Sequence, residues 1–562
     1  MAGEDELRGL AREVARSALG FEQLRPGQEE AVAGVLAGRD VLAVMPTGAG
    51  KSAIYQIAGA VIEGSTVVVS PLLALQRDQV GSIGDRLGGA TQVNSSMSER
   101  QRRDAFDDLR TDDVEFVFVA PEQLANGQTR ERLAAAGPSL VVVDEAHCIS
   151  TWGHDFRPEY LRLGEFLHAL GRPQVLALTA TAAPPVRREI TAQLGMRDPV
   201  EVVQGFFRTN IALAVEGRPD ARATGEALLD RVASSEATGI VYVATRRQAE
   251  ELAGELAARG RDAAAYHAGL PTARRHQVHE RFQEAEPYVV VATTAFGMGI
   301  DVPHVRFVFH ADPPESLDAY YKEFGRAGRD GDPAEAVLFH TIGEVGSRRF
   351  FGGTAPIDAG VFDHVVSAVH HALEPMAVDA LVEVVGVSRS QLGTALDLLE
   401  DTGAVVVDGA GLVRSAPGAP APSEAAEAAA QAHGDYRIAE RTRGEMMRHY
   451  IETDACRWRT ILGYFGQPAQ EDCGRCDNCA AGVVERGPEP FPLDSRVRHH
   501  QWGAGQVIGY EGDTMTVLFD ESGYRSLSVE LVLEQGLLHS HDLGASTFRS
   551  SRPPGTTKRD EP

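Results

Sequence analysis

The stretch VLAVMPTGAGKS, residues 41–52, decides the fold of the first part of this 562-residue chain. An apolar run leads into a glycine-rich turn, and a Lys-Ser pair then opens a helical pattern. A strand, loop and helix in this order bind phosphate, because backbone N–H groups and the helix N-terminus converge on the loop. The general pattern has glycine where Met45 stands, so an ordinary glycine-rich turn is the alternative interpretation.

The residue types in this loop predict a site for ATP and Mg²⁺. Lys51 is expected to meet the β- and γ-phosphates, and Ser52 is expected to bind the metal. Thr47, Gly48 and Gly50 complete the nucleotide-binding loop.

A second apolar run, LVVVDEAH at 140–147, ends in two adjacent carboxylates. Parallel sheets bind their ligands at the carboxyl ends of the strands. We therefore predict that Asp144 holds Mg²⁺ and that Glu145 orients or activates the attacking water. Solvated carboxylates at a strand end are the alternative, which the upstream phosphate loop disfavours.

A pair of arginines in YYKEFGRAGRDG, residues 320–331, completes the predicted catalytic set. Arg326 and Arg329 are three residues apart, so on a helical turn they would face the same way. Guanidinium groups in such a position stabilise charge on a transferring phosphoryl group. The alternative is an exposed basic patch.

The overall composition limits the function classes. The formal charge is −26, which argues against a uniformly basic nucleic-acid binder and predicts that any DNA is held by local patches. No apolar run approaches the roughly 20 residues that cross a bilayer, and the N-terminus MAGEDELRGL lacks the features of a secretion signal. We expect a cytoplasmic, nucleoid-associated protein without a membrane partner.

Four of the five cysteines predict a metal site near the C-terminus. Disulfides are rare in cytosolic proteins, and four thiolates in a short window suit a closed tetrahedral Zn²⁺ site. Reduced structural cysteines are the alternative. The predicted ligands are Cys456, Cys473, Cys476 and Cys479. The arginines around them form either a local DNA-facing patch or a solvated helix face, and they are Arg437, Arg441, Arg443, Arg448, Arg457 and Arg459.

The chain divides by pattern into several domains. Alternating apolar strands and helical stretches predict two tandem α/β domains with parallel sheets. The next segment is expected to form three helices and a hairpin, with a capping box between Ser388 and Gln391. The predicted units are α/β domains at 1–205 and 206–345, a winged-helix-like domain at 358–414, a linker at 415–434, a helical zinc module at 435–482, a small β-barrel at 493–540 and a disordered tail at 541–562.

The ordered motifs of residues 17–340 resemble those of RecQ-type superfamily 2 DNA helicases. The resemblance rests on FEQLRPGQEEAV, MPTGAGKS, VVVSPLLALQRDQV, VAPEQL, DEAHCISTWGHDFRPEYLRLG, ALTATA, YHAGL, ATTAFGMGIDVPHVRFVFHADPP and YYKEFGRAGRDG.

This resemblance implies two RecA-like domains and an ATP-dependent helicase of 3′-to-5′ polarity that acts in DNA repair or recombination. It further implies roles for six residues: Gln28 with Arg25 reads adenine, Thr179 and Thr181 relay between sites, and Gly299 and Asp301 lie beside the nucleotide. One departure is Lys322, since RecQ-type proteins usually carry Gln at this position.

The segment that follows the two carboxylates, CISTWGHDFRPEY at 148–160, is implied by the same resemblance to be an aromatic-rich loop that senses single-stranded DNA. Aromatic faces stack on bases whatever the sequence. Ordinary core packing is the alternative, although interleaved polar residues favour a solvated loop. The implied DNA-sensing residues are His147, Trp152, His154, Phe156 and Arg157.

The C-terminal modules depart from the usual RecQ order, in which the zinc module directly follows the motor and a winged helix comes after it. Residues 493–540 resemble the Tudor-like or SH3-like unit of some UvrD-type helicases, which implies docking of protein or DNA. An ATP-driven duplex translocase or RNA remodeller is the alternative enzyme. A nucleotide-gated DNA-binding scaffold is the alternative from another class.

Overall fold

The structure is a computed structural model. It describes residues 3–71, 73–83, 87–94, 97–111, 114–150, 157–284, 287–297, 300, 302–343, 357–408, 411–467, 471–482, 489–492, 495–511, 513–520 and 522–540. The chain divides into two compact units, residues 1–484 and residues 485–562. Among the described residues, no helix has both the length and the apolar character that a membrane crossing requires. The tail predicted at 541–562 lies outside the described residues.

The first lobe, residues 3–205, is built around a parallel sheet. Its strands are β1 (Val41–Val44), β2 (Thr66–Val69), β3 (Ala90–Val93), β4 (Phe116–Val119), β5 (Leu140–Val143), β6 (Gln174–Thr179) and β7 (Val200–Val203). They are ordered β3-β4-β2-β5-β6-β1-β7, and every neighbouring pair is parallel.

Helices account for the burial of this sheet. All four residues of β2, β4 and β5 are buried, as expected when helices cover both faces of a parallel sheet. The helices are α1 (Glu4–Leu19), α2 (Gln28–Leu36), α3 (Lys51–Gly59), α4 (Leu73–Ile83), α5 (Glu99–Arg110), α6 (Gly127–Ala136), α7 (Pro158–Leu161), α8 (Leu163–Ala169) and α9 (Pro184–Gln193), with short 3₁₀ helices at Pro121–Ala125 and Ala146–Ile149.

The second lobe, residues 206–343, repeats this architecture. Its strands are β8 (Ile211–Arg218), β9 (Gly239–Tyr242), β10 (Ala263–Tyr266), β11 (Val289–Ala292), β12 (Phe307–His310) and β13 (Ala334–Thr341). Its helices are α10 (Ala221–Ser234), α11 (Arg246–Ala258), α12 (Thr272–Gln283) and α13 (Leu317–Phe324). The strands are ordered β10-β11-β9-β12-β13-β8, and all pairs are parallel. The predicted pair of tandem parallel-sheet domains is therefore confirmed.

The segment after the second lobe contains three helices and three short strands. They are α14 (Ala359–His371), β14 (Met376–Ala377), α15 (Val378–Val385), α16 (Arg389–Asp401), β15 (Val405–Val407) and β16 (Leu412–Ser415). The predicted hairpin is the antiparallel pair of β15 and β16, and β14 adds a strand that the sequence patterns did not predict. The predicted capping box of Ser388 and Gln391 begins α16.

The predicted linker at 415–434 is wrong over most of its length. Helix α17 (Pro422–Glu452) begins inside it and continues without a break into the zinc module. The reason is burial: Ala425 and Ala429 join the core that α14 and α16 form with the short strands. Alanine has the highest helix propensity, so this run forms a helix once a partner surface covers it. Two short helices follow, α18 (Arg457–Tyr464) and α19 (Asp477–Ala480).

The second compact unit contains a small antiparallel sheet. Its elements are β17 (Arg496–His499), β18 (Gly503–Glu511), β19 (Thr514–Phe519), β20 (Gly523–Ser528), α20 (Val529–Gln535) and β21 (Leu538–Ser540). The strands are ordered β20-β19-β18-β17-β21. Val497, Val507, Val517 and Phe519 are fully buried and centre its core.

Candidate nucleotide and zinc sites

The order of the first sheet places three predicted site segments side by side. Strands β1, β6 and β5 are neighbours and parallel, so their carboxyl ends lie at one edge. The phosphate loop follows β1, Thr179 ends β6, and Asp144 follows β5. The fold thus brings together segments that are as far apart in the chain as residues 45 and 179.

The phosphate loop depends on glycine at two positions. Gly48 and Gly50 have φ angles of 80° and 75°, in the left-handed region that favours glycine. A Cβ atom on Gly50 would also lie 2.6 Å from Gln28 Nε2. Helix α3 then starts at Lys51, whose Nζ donates to the carbonyl oxygen of Met45 at 3.1 Å.

Two residues that precede the sheet brace this loop from outside. Gln28 Nε2 donates to the carbonyl oxygens of Ala49 and Gly50 at 3.0 and 2.8 Å, and its Oε1 accepts from Arg25 N at 2.7 Å. The Arg25 guanidinium donates to the Gly48 carbonyl oxygen. Both amide hydrogens of Gln28 are therefore used, and one lone pair of Oε1 remains to accept a further hydrogen bond.

Asp144 is held in place from several sides. Its Oδ2 accepts from Ser70 Oγ at 3.2 Å, and its Oδ1 accepts from Glu145 N at 3.0 Å. Tyr160 Oη donates to the Asp144 carbonyl oxygen at 3.0 Å. Burial raises the pKa of Asp144, the charge of Glu145 adds to this increase, and the nearby Lys51 opposes it. A carboxylate that is costly to bury unpaired suits a bound cation.

A short chain of polar contacts leads from Glu145 to the end of β6. His147 Nδ1 lies 3.3 Å from Glu145 Oε2 and 2.9 Å from Thr179 Oγ1. Thr179 Oγ1 donates to the Thr181 carbonyl oxygen at 3.0 Å, so it must accept from the imidazole. Burial lowers the pKa of His147, and we assign its single proton to Nδ1. Glu145 itself has a φ angle of 49°, an uncommon backbone conformation for a non-glycine residue.

The two predicted arginines lie beyond the helix that was expected to carry them. Helix α13 ends at Phe324, and both arginines occupy the turns that follow. Arg326 is 4% exposed, and its Nε has no hydrogen-bond partner among the described residues. Arg329 NH1 donates to the Ile300 carbonyl oxygen at 2.6 Å. Although they are not on a regular helix, both side chains face the same cavity.

Sequence patterns missed the residues that shape these arginine-bearing turns. The Arg208 guanidinium donates to the carbonyl oxygens of Gly325, Ala327 and Gly328 at 3.2, 3.0 and 2.7 Å. Asn210 Nδ2 also donates to the Gly328 carbonyl oxygen at 2.7 Å. Both side chains come from the segment before β8, in a stretch without a motif, so no sequence signal marked them.

A cavity of about 640 Å³ between the lobes gathers the predicted nucleotide-site residues. Its lining includes carboxylates from the first lobe and cations from both lobes, a donor set that fits a metal-bound triphosphate. Phe21, an exposed aromatic that the motifs did not single out, also lines it. The lining residues with predicted roles are Arg25, Gln28, Thr47, Gly48, Gly50, Lys51, Ser52, Asp144, Glu145, Arg326 and Arg329.

Five residues with predicted roles lie outside the described residues. They are Trp152, His154, Phe156, Gly299 and Asp301.

The described residues on either side of 151–156 are tied to the nucleotide site. Arg157 N donates to the Cys148 carbonyl oxygen at 2.9 Å, and Ser150 Oγ donates to Glu189 Oε2 on α9 at 2.6 Å. Together with the bond from Tyr160 to the Asp144 backbone, these contacts fix both ends of the predicted DNA-sensing segment near the carboxylates.

The four cysteines outside the first lobe come together as predicted. Their sulfur atoms all lie within 4.8 Å of one another, and the Sγ atoms of Cys473 and Cys479 are 3.9 Å apart. Zinc–sulfur bonds of about 2.3 Å in a tetrahedron place sulfurs about 3.8 Å apart. Backbone N–H groups donate to the sulfurs of Cys456 and Cys476 at 3.2 and 3.4 Å, as outer contacts to metal thiolates do. The cluster fits Zn²⁺.

The zinc module packs on the second lobe. Trp458 Nε1 donates to the Ile211 carbonyl oxygen at 3.1 Å, and Asp477 Oδ2 accepts from Val215 N at 2.9 Å. Both contacts are with β8, the edge strand of the sheet, so the module covers main-chain groups that would otherwise be open to pairing.

The end of α18 touches both lobes. The Phe465 ring stacks on Phe206 of the second lobe with centroids 4.2 Å apart, and Tyr464 Oη donates to Asp318 on α13. The Phe465 carbonyl oxygen accepts from Arg187 on α9 of the first lobe. The zinc module therefore bridges α13, the helix before Arg326 and Arg329, and α9, the helix that anchors Ser150.

The arginines near the cysteines divide into buried and exposed ones, and Arg437, Arg441 and Arg448 are exposed on α17. Arg457 is 4% exposed and pairs with Asp477 at 3.0 Å, and Arg443 is 8% exposed. Arg441, Arg448 and Arg459 each pair with a neighbouring carboxylate. Two of the six arginines are therefore buried within the protein, and the exposed ones lie along one helix.

Three family profiles match the chain. They are the DEAD/DEAH box helicase over residues 25–189, the helicase conserved C-terminal domain over 224–331, and the RecQ zinc-binding domain over 424–480. The last of these contains all four clustered cysteines.

Curated relatives include several DNA helicases. The probable ATP-dependent DNA helicase RecS of Bacillus subtilis is 38% identical over 329 residues, which are 58% of this chain and 66% of that protein. The ATP-dependent DNA helicase RecQ of Pasteurella multocida is 40% identical over 338 residues, which are 60% of this chain and 53% of that protein. The ATP-dependent DNA helicase Q5 of Rattus norvegicus is 40% identical over 351 residues, and the match covers 59% of this chain and 36% of that protein. This chain thus spans less than two thirds of the length of these relatives.

Among solved structures, the DUF1998 helicase MrfA bound to DNA matches with a TM-score of 0.51 and 18% identity. The match covers 75% of this chain and 61% of that one. At this identity the likeness concerns the fold alone.

Proposed function

Because the chain belongs to the RecQ type of superfamily 2 helicases, we propose that it is an ATP-dependent DNA helicase that moves 3′ to 5′ along one strand and unwinds duplex DNA. Its role would be in DNA repair or recombination, at the nucleoid in the cytoplasm. The observation that carries this proposal is the interlobe cavity, which joins Lys51, Asp144 and Glu145 of the first lobe with Arg326 and Arg329 of the second.

Each cavity residue has a defined task in the proposed hydrolysis. Lys51 would bind the β- and γ-phosphates, and Ser52 and Asp144 would hold a Mg²⁺ ion that neutralises phosphate charge. Glu145 orients the attacking water and takes its proton. Arg326 and Arg329 stabilise charge on the transferring phosphoryl group, so hydrolysis requires both lobes.

Coupling to DNA is proposed to run through the segment 151–156. Its two ends are fixed near Asp144 and at Glu189 on α9, and His147 links Glu145 to Thr179. Bases stacked on Trp152 and Phe156 would therefore act on a segment that ends at the catalytic carboxylates.

The C-terminal units are proposed to be accessory. The order of three helices and three strands supports a winged-helix interpretation of 358–414, and the antiparallel sheet supports a small barrel at 493–540 that docks protein or DNA. Helix α16 lies against the first lobe, where Glu400 pairs with Arg162 at 3.2 Å. Its C-terminal half also carries Asp397 and Asp401, so this part of the helix does not suit contact with phosphate.

A strand-displacement assay tests the proposed function. We expect ATP-dependent unwinding of 3′-tailed and forked duplexes, little unwinding of 5′-tailed duplexes, and ATP hydrolysis stimulated mainly by single-stranded DNA. Equal or greater stimulation by duplex DNA or RNA, without strand displacement, would favour a translocase or RNA remodeller. ATP binding and DNA binding without turnover would favour a scaffold.

Trp152→Ala should separate DNA sensing from hydrolysis. We expect normal melting and a normal DNA-free ATPase rate, while the DNA-stimulated rate and unwinding fall together. Loss of one base-stacking contact corresponds to about 1–3 kcal/mol, or roughly 5- to 150-fold in apparent DNA affinity. ATPase rates with and without single-stranded DNA, measured beside a melting curve, provide the test.

Trp152→Phe is the matched control, because it keeps an aromatic face and should retain most of the stimulation. Phe156→Ala should behave like Trp152→Ala. A Trp152→Ala protein that melts normally and keeps full DNA stimulation would show that this side chain does not couple the sites. If the residue only packs in the core, the melting temperature and both ATPase rates should fall together.

A further inference from the structure

Lys322 lines the nucleotide cavity, yet no hydrogen bond or ion pair holds it among the residues that the structure describes. Two other cations of the cavity are engaged: Lys51 donates to the Met45 carbonyl oxygen at 3.1 Å, and Arg329 donates to the Ile300 carbonyl oxygen at 2.6 Å. A long cationic side chain that lines a cavity without a partner is available to an anionic ligand.

The backbone that carries Lys322 is firmly fixed. On one side of it, Tyr321 Oη donates to the Phe206 carbonyl oxygen at 3.0 Å. On the other side, Glu323 Oε2 lies 2.8 Å from His310 Nε2 in a buried pair. The flanking side chains thus fix α13 in the second lobe, and the Lys322 side chain lies at the cleft between the lobes.

Lys322 lies between carboxylates and cations: it lines a second cavity of about 410 Å³ with Asp312, Glu315 and Glu323, and it lines the nucleotide cavity with several cations. After burial, its positive charge is among the causes that lower the pKa values of Lys51 and His147, so it lies near both of these residues. The carboxylate one turn earlier on α13, Asp318, is engaged by the zinc module instead, because it accepts a hydrogen bond from Tyr464. Cations gathered from both lobes repel one another, and a bound triphosphate would relieve that repulsion.

We propose that Lys322 contacts the γ-phosphate of bound ATP and makes the cleft prefer ATP over ADP. It acts from the second lobe beside Arg326, opposite Lys51 and Glu145 of the first lobe. The contact would be present only when the third phosphate is present. This inference rests on the proposed ATP-dependent function and assigns a nucleotide-selecting role to a residue that stands where RecQ-type proteins usually have Gln.

Equilibrium binding of AMP-PNP and of ADP, each with Mg²⁺ and a single-stranded oligonucleotide, tests the proposal. Lys322→Gln should weaken AMP-PNP binding about tenfold, the loss expected for one charge-assisted contact, and should change ADP binding less than about twofold. Lys322→Arg keeps the charge and should retain the preference. Arg247→Gln is the matched control, because it removes a cation of the second lobe whose side chain is 85% exposed.

Equal losses for both nucleotides in Lys322→Gln, or no loss for either, would overturn the proposal. A Lys322→Arg protein that loses the preference as fully as Lys322→Gln would also overturn it. Binding is measured without hydrolysis or unwinding. A wild-type protein that prefers AMP-PNP through Lys322 but fails to separate strands would therefore contradict the proposed function and leave this inference standing.

Discussion

Glu145→Gln should lower the rate of ATP hydrolysis about 10²- to 10³-fold, the usual cost of removing a group that acts in the transition state. The amide cannot take a proton from the attacking water. Gln has the same size and shape as Glu, so the local fold should survive. Steady-state ATPase assays with single-stranded DNA measure the rate, and AMP-PNP binding should remain near the wild-type level.

Two companion variants separate binding from turnover. Lys51→Ala should lose both nucleotide binding and hydrolysis, because it removes the phosphate-binding cation. Arg329→Ala should lose hydrolysis by a similar factor while it retains more of the binding. Near-normal turnover in any of the three variants would contradict the role assigned to that residue.

Cys476→Ser should bring the zinc content of the purified protein close to zero and unfold the module around it. Structural zinc sites in small modules bind with about 10–16 kcal/mol, and this free energy is coupled to folding. Cys476 is fully buried and caps α19, so the module should lose its order first near 456–480. Elemental analysis gives the zinc content, and hydrogen exchange of peptides from this region gives the loss of order.

Cys148→Ser is the matched control, since Cys148 is a buried cysteine outside the cluster and its replacement should leave the zinc content unchanged. The two parallel sheets should keep their slow exchange in both variants. A wild-type protein that contains no zinc would contradict the assignment of the four cysteines as zinc ligands.

The nucleotide site was predictable because its chemistry lies in short segments at strand ends. Asp144 stands directly after one apolar run, Lys51 ends the short loop that follows another, and parallel pairing then brings the ends of those strands together. The supports were not predictable in this way. Arg208 and Asn210 act through backbone carbonyls of turns more than a hundred residues away, and no local pattern encodes such a contact.

Composition alone did not predict the structure of segments that pack against another surface of the protein. The alanine-rich run after Pro422 has the composition of a linker, yet a face against α14 turns it into regular helix. The arginines near the cysteines look alike in the sequence, yet Arg457 pairs with Asp477 inside the protein while Arg441 is exposed on α17. In both cases the missing information was the identity of the partner surface.

The unbroken helix α17 makes a rigid connection where the sequence patterns predicted a linker. Its 31 residues span about 46 Å at 1.5 Å per residue. Over that length, a tilt of about 5° at one end displaces the other by about 4 Å. One end is embedded in the core with α14 and α16, and near the other Tyr450 meets Tyr320 of α13 with ring centroids 5.2 Å apart. A displacement of the three-helix unit would thereby reach α13, the helix that precedes Arg326 and Arg329, with an amplitude and direction set by the length and helical phase of α17.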